Sequence, residues 1–304
     1  MDKRNLHNSR LELVFEKKIP GLRVSEALRH QEFIMRQRHV HATIELFFLI
    51  EGDRFMFVDQ ETYHLRAGSA MLVNHDLIHK TSVALGCPPD HRNFILQLDR
   101  SIFDGLLRQL GYPGFDTFGS IYGGIANFCA EDWDLILRII EKFKNACTKS
   151  FGQSDANPEL HSFLILQALE LLGIFARARR LEQAESYRPS RNVVESGIHQ
   201  KVHDIAMYLQ NNSHENLPLD ELAERFYMSK SYLTRIFRSV TGFSVVEYNR
   251  FIKVRKAQEL LRGTDASVTE IAEQTGFGNI TYFEKVFKQT TGQSPAKYRK
   301  HQGE

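Results

Sequence analysis

Apolar residues recur along this chain with two different periods, and the change of period divides it. Between residues 11 and 125 short runs of alternating character are separated by turn signals. They predict strands at 11–16, 32–37, 43–50, 54–58, 61–66, 69–73 and 93–98, with turns at Glu51-Gly52-Asp53 and Ala67-Gly68 and no convincing long helix. Many short strands at close intervals predict a sandwich or small barrel. From about residue 131 the period becomes helical. Trp133, Ile136, Leu137, Ile140 and Phe143 share one face of a helix at about 131–146. A second helix, about 158–182, opens at Asn157-Pro158-Glu159, a cap with proline in the first turn. Its centre, from Phe163 to Phe175, is apolar around most of its circumference. Such a helix is buried on more than one side, so one side is expected on the barrel and the other on a second copy of the chain. The polar stretch 183–198, with Pro189, is read as an interdomain linker.

Beyond the linker one pattern is written twice. Leu219-Asp220-Glu221-Leu222-Ala223, then Ser229 to Arg238, Thr241-Gly242 and Tyr248 form the first copy. Val268-Thr269-Glu270-Ile271-Ala272, then Gly276-Phe277, Tyr282 to Lys288, Thr291-Gly292 and Tyr298 form the second. Ala223 and Ala272 lie 49 apart, whereas Phe237 and Phe287, Gly242 and Gly292, and Tyr248 and Tyr298 lie 50 apart. One residue is therefore added in the second turn, and a repeat this regular is one supersecondary unit used twice. Each copy reads as helix, tight turn, helix. Ser229 and Asn279 are placed to cap the second helices, and Ser244 with Glu247 and Ser267 with Glu270 have capping-box spacing. Residues 244–262 read as one continuous helix joining the copies, roughly 28 Å long.

The polar face of each second helix carries the chemistry. Ser231, Thr234, Arg235 and Arg238 lie opposite Leu233 and Phe237, and Thr281, Tyr282, Lys285 and Lys288 do the same in the second copy. Hydroxyls and long cations on one ridge suit base edges and phosphates in a major groove. Placement carries this reading rather than total charge, because residues 199–304 hold 15 Lys and Arg against 12 Asp and Glu.

Composition adds little. A hydrophobic content of 42% and charged content of 25% are ordinary for globular proteins, and the net charge is only +2. No apolar run is read as spanning a bilayer, and the polar start has no secretory core. Cys87, Cys129 and Cys147 have no paired spacing, so neither a disulfide framework nor a cysteine metal site is expected. A cytoplasmic location follows as an expectation.

Gly276-Phe277, Tyr282-Phe283, Phe287-Lys288, Gly292, Ser294-Pro295 and Tyr298-Arg299 resemble the signature of AraC/XylS-type bacterial transcription regulators. The resemblance implies a seven-helix DNA-binding domain in which the second helix of each copy reads DNA. Position by position it makes Ser231, Thr234 and Arg235 base-edge candidates in the first copy and Ile280, Thr281, Tyr282 and Lys285 in the second, with Arg238 and Lys288 nearer phosphates and the cap Asn279 counted among the DNA-binding residues. Lys253 departs from the arginine the family more often has, which puts a bidentate contact there in doubt. Further upstream, His39-x-His41-x3-Glu45-x6-Gly52 and Gly68-x5-Asn74-x4-His79 resemble the two metal-site motifs of the cupin barrel, a common sensor in such regulators. Asn74, Asp76 and Val83 depart from the enzyme pattern.

Period-two alternation puts His39, His41, Glu45 and Phe47 on one face of a strand, and His79 is placed to join them. Three readings stay open, the plainest being that these are ordinary core or surface residues with no shared site. His39, His41, Glu45 and His79 are a ligand set for a divalent metal, or they form a metal-free polar pocket for a small effector, a sugar if Phe47 or Phe48 provides an aromatic floor. The expected architecture is multidomain α+β. Residues 1–182 form a cupin-like sensor and dimerisation domain with two following helices, and 199–304 an all-α domain with two helix-turn-helix motifs joined by a long helix. The expected function is an effector-responsive regulator, an activator by family habit, with double-stranded DNA, RNA polymerase and a second copy as partners. The alternative is a metal-dependent cupin enzyme fused to a DNA-binding module.

Overall fold

The computed structural model describes residues 11–30, 43–75, 77–84, 87–149, 157–185, 197–215 and 217–300. They fall into two compact units, Met1–Val194 and Glu195–Glu304.

In the first unit eight strands precede the helices: β1 (Leu11–Ile19), β2 (Leu22–Arg29), β3 (Ile44–Glu51), β4 (Asp53–Val58), β5 (Glu61–Arg66), β6 (Ser69–Val73), β7 (His79–Val83) and β8 (His91–Leu98). α1 (Arg100–Gln109), α2 (Phe115–Tyr122), β9 (Gly124–Asn127), α3 (Ala130–Lys149) and α4 (Pro158–Glu185) follow. The strands form a six-stranded sheet, ordered β1-β2-β8-β3-β6-β9, and a three-stranded sheet, ordered β5-β4-β7. This is the strand-rich domain followed by helices that the pattern predicted, with the cupin-like form that the resemblance implied. Alternation along β3 shows how the layers form. Ile44, Leu46 and Phe48 join a core shared with the helices, while Phe47 and Leu49 join a second core with Met56 and Leu65 of the small sheet.

The pattern missed β2, β7, β9, α1 and α2, and the expected strand 32–37 lies outside the described residues. β2 escaped because Ala27 and Glu26 are both buried, which blurs the period of two. α1 starts on Asp99, whose carboxylate accepts the Ser101 amide at 2.8 Å, a cap that directly follows β8.

Helix α4 packs deeply into its own unit. Leu164, Ala168, Leu171, Leu172, Phe175 and Ala178 are all buried within the unit's own core, so much of its circumference is covered by one copy of the chain. Phe163 and Leu166 remain exposed, at 38% and 61%. Pro158–Gln183 is also long and apolar enough to cross a bilayer, with mean hydropathy 1.4, contrary to the sequence reading. Half of it is buried within the fold. Arg179 fastens its far end by donating to the carbonyls of Gly123 at 2.8 Å and Ile125 at 2.9 Å.

The second unit holds seven helices among the described residues: α5 (Gly197–Asn211), α6 (Leu219–Arg225), α7 (Lys230–Thr241), α8 (Val245–Gly263), α9 (Val268–Gln274), α10 (Ile280–Thr291) and α11 (Pro295–Lys300). α4 runs on to Glu185 and α5 opens at Gly197, so the expected linker is helical at both described ends and its middle lies outside the described residues.

Candidate DNA interface and barrel interior

The two copies repeat in geometry as they do in sequence. Phe237 and Tyr248 meet edge to face at 5.2 Å and 81°, and Phe287 and Tyr298 at 5.5 Å and 83°. α7 ends on Gly242 at φ 82 and α10 on Gly292 at φ 81, the left-handed conformation that glycine adopts without strain. Ser229 accepts the Tyr232 amide at 3.2 Å, and Asn279 accepts the Tyr282 amide at 3.0 Å, so both capping expectations hold. Both capping boxes also form, Ser244 with Glu247 and Ser267 with Glu270.

The turns locate the added residue. Met228 N–H donates to the Ala223 carbonyl at 2.9 Å, and Phe277 N–H donates to the Ala272 carbonyl at 2.9 Å. These positions are still 49 apart, while the caps Ser229 and Asn279 are 50 apart, so Gly278 is the insertion. One position earlier, Tyr227 and Gly276 both have positive φ, 53 and 72. Gly276 has no alternative, because a Cβ there would lie 2.2 Å from the His214 carbonyl oxygen. Its own carbonyl accepts from Lys253 Nζ at 2.8 Å. Lys253 is buried, and burial lowers its pKa. This lysine of α8 therefore turns inward to hold the second turn, and the contact doubted at the sequence level is an internal one.

α8 is more than a connector. Its Val254, Ala257 and Leu261 belong to the core of the second copy. Its buried Tyr248, Phe251, Val254 and Gln258 lie 49 residues after the buried His199, Val202, Ile205 and Leu209 of α5. The repeated unit is thus three helices, α5-α6-α7 and α8-α9-α10, one helix longer than the residue pattern revealed.

The candidate reading residues are placed as follows. Ser231, Arg235 and Arg238 are exposed on α7, and Thr234 is half-buried, its hydroxyl donating to the Lys230 carbonyl at 2.8 Å. On α10, Thr281, Tyr282, Lys285 and Lys288 are exposed, whereas Ile280 is half-buried against the second copy's core. Asn279 spends its side-chain oxygen on the cap.

Inside the barrel the structure joins part of the expected cluster. His39 and His41 lie outside the described residues. Glu45 of β3 and His79 of β7 are both buried and meet across the two sheets, His79 Nε2 standing 3.6 Å from Glu45 Oε1. The His79 Nδ1 donates to the Leu77 carbonyl at 3.0 Å, which leaves Nε2 facing the carboxylate. Gln97, absent from the sequence reading, donates to Glu45 at 3.0 Å; it is paired with Glu45 in the β3–β8 register. Phe47 is buried between the sheets, but Phe48 packs on Phe94 and Phe128 in the helix-side core and cannot floor this interior. Among the described residues no group of three or more potential metal ligands comes together.

The opposite end of β8 is basic, which no sequence motif signalled. Arg54 is fully buried on the face of β4 that carries Met56, and buried His91 is register partner to Arg29. Burial first, then the charges of Arg54 and Arg29, push His91 down to about 4. Burial, then Arg29, pushes Arg54 down to about 10.

Two family models match the chain: the AraC-like ligand binding domain over residues 23–143, and a helix-turn-helix domain over residues 222–301. The chain belongs to the AraC-type transcription regulators. Among the relatives of this regulator, the uncharacterized HTH-type transcriptional regulator YfiF of Bacillus subtilis is 24% identical over 86% of the chain and 78% of its own length. The Msm operon regulatory protein of Streptococcus mutans is 25% identical over 83% of the chain and 82% of its own length. A solved structure of the AdpA DNA-binding domain in complex with a target DNA is 34% identical, covering 32% of this chain and 88% of that one, with a TM-score of 0.32. The matched domains and these relatives are those of regulators rather than of a barrel enzyme. The regulator thus combines a ligand-binding domain with a helix-turn-helix DNA-binding domain.

Proposed function

We propose that this regulator is a cytoplasmic, sequence-specific activator that works as a homodimer with RNA polymerase and responds to a small molecule in the barrel. In the first copy Ser231, Thr234 and Arg235 read base edges; in the second Thr281, Tyr282 and Lys285 do so, with Ile280 against a thymine methyl and Asn279 holding the helix start. Arg238 and Lys288 contact phosphates. The observation that carries this reading is the recurrence of an exposed hydroxyl and two exposed cations at matching positions, Ser231, Arg235 and Arg238 of α7 and Thr281, Lys285 and Lys288 of α10. Successive major grooves on one side of a duplex, about 34 Å apart, would receive the two ridges.

The effector site is assigned to Glu45 and His79 with Gln97, continued by His39, His41 and Phe47, and the ligand class to sugars. A carboxylate, an amide and an imidazole suit hydroxyl groups. Effector binding shifts the population of DNA-binding arrangements only if its affinity differs between them. Exposed Phe163 and Leu166 of α4 support the dimer contact; a monomer by light scattering at micromolar concentration would remove it.

Substitution tests the DNA assignment. Arg235→Ala should cost about 1–3 kcal/mol and relax preference at one base position. Lys288→Ala should weaken binding evenly across sequences. Identical effects of both on all DNA would refute the division into reader and anchor. For the effector, a panel of sugars that gives no thermal shift while other metabolites do would refute the ligand class.

A further inference from the structure

We propose that Lys201 and Arg250 form a matched pair of DNA-phosphate contacts, one per copy, each held in place by the tyrosine ring at the start of the reading helix. The inference rests on the DNA-binding reading above and adds to its residues, since neither cation lies on a reading helix. Lys201 Nζ sits 5.5 Å from the centroid of the Tyr232 ring, and the Arg250 guanidinium 5.8 Å from that of Tyr282. Lys201 and Arg250 are 49 residues apart, on the equivalent helices α5 and α8; Tyr232 and Tyr282 are 50 apart, on α7 and α10. The stacking therefore recurs with the period of the repeat although the cation differs.

Core packing does not require this recurrence. Both cations are exposed, and the rings lie outside the buried set of each copy. The geometry instead brings positive charge to the edge of each reading ridge. Each tyrosine is the third residue after its cap, its amide bonded to Ser229 or Asn279. Ser231 and Thr281 precede the rings by one residue, and Arg235 of the ridge also stands 5.5 Å from the Tyr232 ring. A ridge seated in a major groove has phosphate backbone along its margins, where contacts set register rather than read sequence. A long cation loses rotamer freedom when it meets a phosphate. Resting its stem and charge on an aromatic face removes part of that loss beforehand while leaving its outer donors directed to solvent.

The test measures binding of the full chain to a random-sequence 30-base-pair duplex across a salt series. Lys201→Gln and Arg250→Gln should each shallow the slope of log affinity against log salt by about 1, and the double variant by about 2. One lost contact is then worth about 3.5-fold in affinity change between 50 and 200 mM salt. Lys256→Gln, an equal charge loss at another exposed position of α8, should leave the slope unchanged, and Arg250→Lys should retain it. Equal slopes for the wild type, Lys201→Gln and Arg250→Gln overturn the inference, as does a change no larger than that of Lys256→Gln. A wild-type chain that binds neither this duplex nor its own upstream DNA at low salt refutes the DNA-binding reading itself.

Discussion

The two helix-turn-helix copies share caps, closing glycines and ring stacking, yet their turns solve the same problem with different residues. Four residues join α6 to α7 and five join α9 to α10. Both turns reverse through one left-handed residue. In the first that residue is Tyr227, 98% exposed, with room for any side chain. In the second it is Gly276, pressed against the backbone at His214 and pinned by Lys253. The first turn tolerates local strain because nothing lies over it, while the second admits only glycine because other chain segments crowd it. Equivalent positions in a repeat are therefore not equivalent in tolerance.

Gly276→Ala is the strongest way to break that comparison. A left-handed alanine costs roughly 1–2 kcal/mol, and forcing its Cβ against a carbonyl oxygen about 1–3 more. Thermal or urea unfolding of the chain should show a loss of about 3 kcal/mol in the DNA-binding unit. Lys253→Met comes next: it removes the charged donor to the half-buried Gly276 carbonyl, about 1–3 kcal/mol. Its pH dependence has a definite sign. Because burial lowers the Lys253 pKa below 10.5, the unfolded chain binds more protons between the two values. That contribution should make stability rise with pH through this alkaline window, and the rise should vanish in Lys253→Met. The smallest effect is of opposite sign. Tyr227→Gly should stabilise by up to about 1 kcal/mol, since the left-handed strain disappears and the ring makes little contact. A loss of stability there would show that the exposed ring contributes something its exposure hides.

Legibility differed between the domains for the same reason. Ser229 and Asn279 bond amides three residues on, and the turns close over five, so the grammar of each copy is written within a few residues. A repeat then doubled every signal. In the barrel, alternation around Glu45 and the spacing to His79 were readable, and those two side chains do meet. Gln97 was not, because it reaches Glu45 from a strand 52 residues away. Arg54, Arg29 and His91 likewise share the interior only through pairing of β2 with β8 and closure of the small sheet over it. Lys201 was missed because the residue pattern starts at Leu219, and Arg250 because its helix reads only as a connector between the copies. Their own helices repeat mainly in which positions are buried, and burial is invisible before packing.

By itself the sequence determined the doubled module, its caps, its exposed cationic ridge and the strand-then-helix order of the first domain. All of these depend on contacts between near neighbours or on periodicity within one element. Tertiary structure decided which faces of β3 meet which layer, how far α4 is covered by its own domain, and that Lys253 points to Gly276. Each of those is a choice between partners far apart in the chain, settled by the cost of leaving apolar surface or a polar group in the wrong surroundings.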